Sequence, residues 1–335
     1  MDPVGDLAGL ASPDPRVRFA AEDRLRAAGP AGVAALDRLL AVERLPDVLR
    51  ARAADLVGSI LHDRAVDAFR LALPDPAAPD LWAGAVAIAA EAHPVLDLEG
   101  LDRDLDAIVA GARAADAPGA SALDRARRLT TYLADGAGFR GPVNRDDDPR
   151  LSYLPDVLER RTGLPIALGV LWMTVAGRLG LASAGVGLPL HFVVRVEADA
   201  GAAYVDAFHG EVLDEAGCGA RVAAAAGRPV DLPPRAFRPL RPAEVLLRML
   251  RNLRAVHERE GRLATALATL DRALHLDPLE PTVLRDRAFL LARMGRPAAA
   301  ARALNRALAA HAQDAERTLL EDIRKQLLRV AAERN

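Results

Sequence analysis

Gly261-Arg262, Ala266, Leu270, Arg272, Ala273 and Leu274 recur as Gly295-Arg296, Ala300, Leu304, Arg306, Ala307 and Leu308, every pair 34 residues apart. A unit of that length cannot bury its own apolar face. It has to stack one helical pair on the next. The residue types suit this: glycine turns the chain within a pair, alanine lets helices approach closely, and leucine fills the seam. Pro278 follows the second helix of the first pair, whereas its counterpart Ala312 has lost the proline, which marks the second pair as degenerate or capping. A terminal helix near Leu319–Val330 is expected to close the array. Composition points the same way: 51% of residues are apolar, yet 7 Phe, 3 Tyr and 2 Trp are the aromatics. Alanine and leucine carry the rest, favouring closely packed helices over a β-sandwich.

The 34-residue period is that of tetratricopeptide repeats. The other 240 residues divide further, since 335 residues suggest two to three structural units. Near the N-terminus, Asp14, Asp47 and Asp80 stand 33 residues apart, each beside a proline and ahead of an apolar run. This spacing predicts stacked helical hairpins over residues 1–95, against the alternative of an irregular helical domain; the first unit resembles a HEAT repeat. After a small-residue break at 115–121, a helix is expected over 122–134, then a loop at 135–142. The most apolar stretch, 154–181, is interrupted by Arg160-Arg161-Thr162-Gly163-Leu164-Pro165. Gly163 is expected to end one helix, and Pro165 to open the next, where its missing N–H is not needed. The pattern then changes to that of strands over 191–197 and 203–208, with a hairpin turn at 198–201.

Charge is nearly balanced, with 44 basic and 46 acidic side chains. Residues 241–335 hold 18 of the basic and 12 of the acidic groups. Of the basic residues, all but Lys325 are arginine. So few aromatics near the arginines disfavour a nucleic-acid binder, which stacks bases on rings. One cysteine, Cys218, allows neither an internal disulfide nor a cysteine-rich zinc site. Asp2 and Asp6 stand where a signal peptide would be basic, and no apolar run approaches a membrane span. The expectation is a reduced, cytoplasmic, soluble protein without a cofactor.

The central block resembles the SirB family, bacterial proteins with a transglutaminase-like domain followed by tetratricopeptide repeats. The likeness runs from Leu133 through Gly138-Phe139-Arg140-Gly141 to the unbroken string from Ser152 to Ile166. It continues through Arg178-Leu179-Gly180-Leu181, Pro189-Leu190-His191-Phe192 and Asp206-Ala207-Phe208, and with the repeats covers roughly residues 95–315. The resemblance implies a mainly α fold with a small α+β centre. Transglutaminase-like enzymes use a cysteine at the head of the central helix, then a histidine and an aspartate on following strands. The thiolate attacks, the histidine takes the proton, and the carboxylate orients the imidazole. His191 and Asp206 match the last two positions; the cysteine's place falls at Pro165. Three smaller departures accompany this: Leu151 for an asparagine, Leu190 for the glycine before the histidine, and Ala207 for a proline.

Each candidate has a plainer reading. His191 and Asp206 could pair only to fix the hairpin. Arg160 and Arg161 are candidate anion ligands with forked donors, but arginines there more often bond helix carbonyls. Asp146-Asp147-Asp148 clusters oxygens that suit a hard cation, though such loops are usually just solvated. Cys218 precedes a helix-like run that could depress its pKa, yet it follows His191 and Asp206, the wrong order for the family.

The expected domains are helical hairpins at 1–95, a transglutaminase-like domain at 96–238, and repeats with a capping helix at 239–335. The expected function is non-catalytic binding of a protein or peptide, acidic in view of the arginines, in the repeat groove. The alternative is a hydrolase or acyl-transferase that joins His191 and Asp206 to another nucleophile, Ser152 or Cys218.

Overall fold

The computed structural model describes residues 3–93, 95–143, 148–199, 201–310 and 314–333. Along the chain run α1 (Pro3–Leu10), α2 (Pro15–Ala27), α3 (Pro30–Leu40), α4 (Asp47–Ala72), α5 (Leu81–Ile88), α6 (Leu98–Ala115), α7 (Ala122–Thr131), α8 (Leu154–Arg160) and α9 (Pro165–Arg178). There follow β1 (Ala184–Val186), β2 (Val193–Ala198), β3 (Gly201–Asp206), β4 (Glu211–Leu213), α10 (Glu215–Ala226) and β5 (Pro239–Leu240). The helices α11 (Pro242–Arg259), α12 (Leu263–Leu276), α13 (Pro281–Arg293), α14 (Pro297–Ala310) and α15 (Asp314–Glu333) complete it. The chain is mainly helical with a small antiparallel sheet.

Two compact units form, and neither is a continuous stretch of sequence. One comprises Met1–Leu71, Ala90–Val95 and His257–Asn335; the other comprises Ala72–Ala89 and Leu96–Val256. The N-terminal helices thus share a unit with the repeats.

In the first unit, Leu10, Leu25, Leu36, Leu56 and Ile60 from α1 to α4 form one buried cluster. The carboxylate of Asp14 accepts from the Arg16 N–H at the start of α2 (2.8 Å), which satisfies one orphan donor of that helix. Asp80 does the same for α5 through Ala83 (2.8 Å), while Asp47 lies inside the first turn of α4. The helices α1 to α5 run to 8, 13, 11, 26 and 8 residues, and α5 belongs to the other unit. The 33-residue recurrence therefore reflects helix-start chemistry rather than equal hairpins.

The repeats follow their sequence period. Gly261 and Gly295 take φ of +74° and +71° at the turns joining α11 to α12 and α13 to α14, a conformation that costs a residue with a Cβ. Pro278 lies just past the end of α12, and α15 packs on α14 as the cap. Ala312 lies outside the described residues. On the N-terminal side, His62 Nε2 of α4 lies 3.1 Å from Asp271 Oδ2 of α12. Asp271 also receives Arg287 Nε at 2.5 Å, and burial, which would raise its pKa, is outweighed by these two partners.

The second unit is built around α9, which is buried along most of its length from Ile166 to Ala176. Trp172 donates its indole N–H to Thr130 Oγ1 (3.1 Å), and Thr130 in turn donates to the Ala126 carbonyl (2.7 Å), so no polar hydrogen of this pair is stranded. The sheet order is β4-β3-β2-β1-β5, with every pairing antiparallel. Phe192 reaches α9 because two glycines make room: a Cβ on Gly169 or Gly185 would come within 2.6 or 2.5 Å of its ring. The sequence-expected strands correspond to β2 and β3, and Ala200 of the expected turn lies outside the described residues. One boundary differs. Arg161, not Gly163, adopts the left-handed cap of α8 (φ +58°), while Gly163 leaves space for Val157.

Candidate functional site

The β-strand alternation sets the site. Tyr204 and Asp206 share a sheet face, and on it Tyr204 packs in a core with Cys218 and Val222 of α10. His191 stands just ahead of β2, and its Nε2 lies 3.0 Å from Asp206 Oδ2. The contact is close but off the line of the ring N–H, so Nε2 finds no aligned hydrogen bond. Both side chains are buried, Asp206 completely.

Asp206 has further partners. His209 Nδ1 lies 2.8 Å from Oδ2, the Phe208 and His209 N–H groups donate to Oδ1 (3.2 Å each), and Arg221 Nε of α10 is 3.1 Å from Oδ2. Burial pushes the carboxyl's pKa up most strongly, but His191 and then His209 hold it below its ordinary value. His209 was not singled out from sequence. A histidine three residues past an aspartate is the faint signal that could have found it.

A cleft of about 740 Å³ opens beside this cluster. Leu164, Pro165 and Ile166 at the head of α9 line it together with His191, His209, Arg140, Arg221, Arg248 and Asn252. His191 and Pro165 thus line one cavity. The cleft also extends past the expected boundary at residue 238, because Arg248 and Asn252 belong to α11. Ahead of His191, Leu190 adopts φ +57°, the left-handed region that a glycine would take without strain.

Other candidates fall elsewhere. Ser152 is buried, and its Oγ hydrogen-bonds no described residue, His191 included. Cys218 is fully buried among Val186, Leu188, Tyr204 and Phe237. Burial, with the Asp206 charge adding to it, pushes the Cys218 thiol up to about 12, so the helix start that could have depressed it does not do so. Arg160 and Arg161 do not line the cleft. Arg160 pairs with Asp148 (3.1 Å), and the Arg161 guanidinium lies 4.6 Å from the centre of the Phe139 ring. Asp148 accepts from Arg150 and Arg160, and chiefly the former holds its pKa down at about 2; Asp146 and Asp147 lie outside the described residues.

His191, Asp206 and His209 could converge on a metal ion, their ligand atoms lying within 4.8 Å of one another. Arg221 stands against the same carboxylate oxygen, and its fixed charge opposes a cation there. The cluster fits an internally paired carboxylate better than a metal centre. Among the described residues, no helix is long and apolar enough to cross a membrane.

Fold and site together define a transglutaminase-like domain followed by tetratricopeptide repeats. Family models of the transglutaminase-like superfamily and of the tetratricopeptide repeat match residues 99–251 and 253–327. More particularly, the chain belongs to the family of the UPF0162 and SirB1 proteins. It is 38% identical to a UPF0162 protein of Xylella fastidiosa over 184 residues, 54% of this chain and 66% of that one. The UPF0162 protein of Pseudomonas aeruginosa is 33% identical over 69% of this chain and 84% of its own. Protein SirB1 of Salmonella typhimurium is 27% identical over 42% and 53% respectively. No solved structure matches the chain.

Proposed function

We propose that this protein is a non-catalytic member of its family, a cytoplasmic adaptor that holds a protein partner on its repeats. One observation carries the non-catalytic part. Among the described residues lining the cleft beside His191, none is a cysteine, serine, threonine or lysine, and Pro165 lines it at the place where the resemblance puts the thiol. A general base without a thiol or hydroxyl in reach has no nucleophile's proton to take, and no side chain is there to receive the acyl group. Burial of Cys218 and Ser152 supports the same reading.

The repeats supply the binding part. Many of their arginines are neutralised within the chain: Arg272 by Glu91, Arg287 by Asp271, Arg293 by Glu258. Arg296, Arg302 and Arg306 make no ion pair among the described residues and are exposed. Arg302 and Arg306 stand one turn apart on α14, where they present two forks to an acidic partner segment.

The test is direct. Purified protein is assayed for glutamine–amine crosslinking and peptide hydrolysis, and no turnover is expected. Turnover that disappears in His191→Ala would overturn the non-catalytic reading. In parallel, the protein and its Arg302→Glu/Arg306→Glu variant serve as baits. A partner captured equally by both removes the acidic-partner reading.

A further inference from the structure

Among the described residues, one arginine of the cleft has no carboxylate against it. Arg140 is paired with Asp135, and Arg221 with Asp206 and Glu211. Arg248 differs. Its Nη2 donates to the carbonyls of Leu188 (2.6 Å) and His191 (2.9 Å), and no carboxylate of the described residues lies against it. Those two bonds fix the loop that carries His191, and Nη1 and Nε find no acceptor among the described residues. A partly buried guanidinium held only by carbonyl dipoles is costly until an anion reaches it.

A second donor stands beside it. Asn252 is four residues on along α11, hence on the same helix face, and its amide hydrogen-bonds no described residue. Apolar side chains share the lining. Leu190, 64% exposed despite its size, and Phe208 both border the cleft, as does Ile166 at the uncapped head of α9. Desolvation, with Arg251 adding like-charge repulsion, lowers the Arg248 pKa, as expected of a cation awaiting a counter-charge.

We propose that this cleft binds a peptide carboxylate, with Arg248 as its counter-charge, Asn252 as second donor, and Leu190 and Phe208 against the apolar side chain next to it. The carboxylate can be a chain terminus or an acidic side chain, since both offer the same two oxygens. Binding of this kind stands whether or not the cleft turns a substrate over.

The probes are four short peptides titrated into the full chain and followed by calorimetry. Acetyl-Ala-Leu-Phe is compared with its C-terminal amide, and acetyl-Ala-Leu-Glu-Ala amide with its glutamine counterpart. At least one acid is expected to bind at roughly millimolar or tighter, and its neutral counterpart roughly 10-fold or more weaker. Whichever acid binds identifies the source of the carboxylate. Arg248→Gln is expected to weaken that acid by roughly 10- to 100-fold, and Asn252→Ala by a smaller factor. Should Arg248→Gln prove unfolded by its melting curve, Asn252→Ala decides, and unchanged affinity there overturns the proposal. So does failure of both acids to bind, or equal binding of acid and neutral forms. Hydrolysis of a peptide would instead overturn the non-catalytic reading and leave this site standing.

Discussion

His209 Nδ1 lies 2.8 Å from Asp206 Oδ2, the oxygen that His191 Nε2 approaches at 3.0 Å. Two imidazoles thus serve one buried carboxylate, and their influence exceeds the opposing effect of burial on its pKa. A folded-state pKa held below the unfolded value stabilises the fold fully above about pH 4 and loses that contribution as pH falls through the folded pKa. Asp206→Asn should therefore be less stable than the parent at pH 7 by about 1–3 kcal/mol. The difference should close on acidification, because the parent alone has this carboxylate to protonate. Urea unfolding at pH 7 and pH 3 checks both, and a difference that widens in acid contradicts the assignment.

Leu190 pairs an unfavourable backbone with an exposed side chain. A left-handed conformation costs a residue with a Cβ roughly 1–2 kcal/mol, and glycine's extra unfolded-state entropy returns roughly 0.5–1 kcal/mol of that. Leu190→Gly should stabilise the protein by about 0.5 kcal/mol, whereas Leu190→Ala should bring no gain. Thermal melting of the two variants distinguishes them. A less stable glycine variant would mean that the leucine makes contacts outweighing its strain.

What could be read in advance follows from how local each signal is. The repeats were legible because a 34-residue period places glycine, alanine and leucine at fixed steps, and Gly261 and Gly295 do turn the chain. The head of α9 was legible through Pro165, whose ring suits a first helical turn. The strands β1, β4 and β5 were not, since two or three residues are too few to show alternation. Asp14 and Asp80 carried a true capping signal, and only its equal spacing misled. Arg248 reads as one more charge on an amphipathic helix. Its place in the cleft depends on Leu188 and His191, about 60 residues away, which no local pattern records.

Cys218 offers a clean solution test. A thiol pushed up to about 12 by burial supplies almost no thiolate near neutrality. Ellman's reagent at pH 8 should leave the native protein unreacted and titrate one thiol per chain in denaturant. Rapid native reaction would return Cys218 to the list of nucleophiles and weaken the binding-only reading.

Glu91 ties distant parts of the first unit together. Its Oε1 lies 2.9 Å from His257 Nε2, Arg272 bonds its other oxygen, and all three side chains are at most 3% exposed. Removing one partner from a buried pair strands the other, at a cost of about 3–5 kcal/mol, whereas replacing both by apolar groups is often near neutral. Glu91→Ala should therefore be strongly destabilised, and adding Arg272→Met should recover much of the loss. Arg293→Ala is the control, because the Arg293–Glu258 pair at 2.9 Å is half exposed on the arginine side and worth about 1 kcal/mol or less. Urea unfolding of the four proteins measures the series. If Glu91→Ala loses no more than Arg293→Ala, the buried pair does not hold α12 to the 90–95 segment. If the double variant is no better than Glu91→Ala, loss of the Arg272 counter-charge is not the source of the destabilisation.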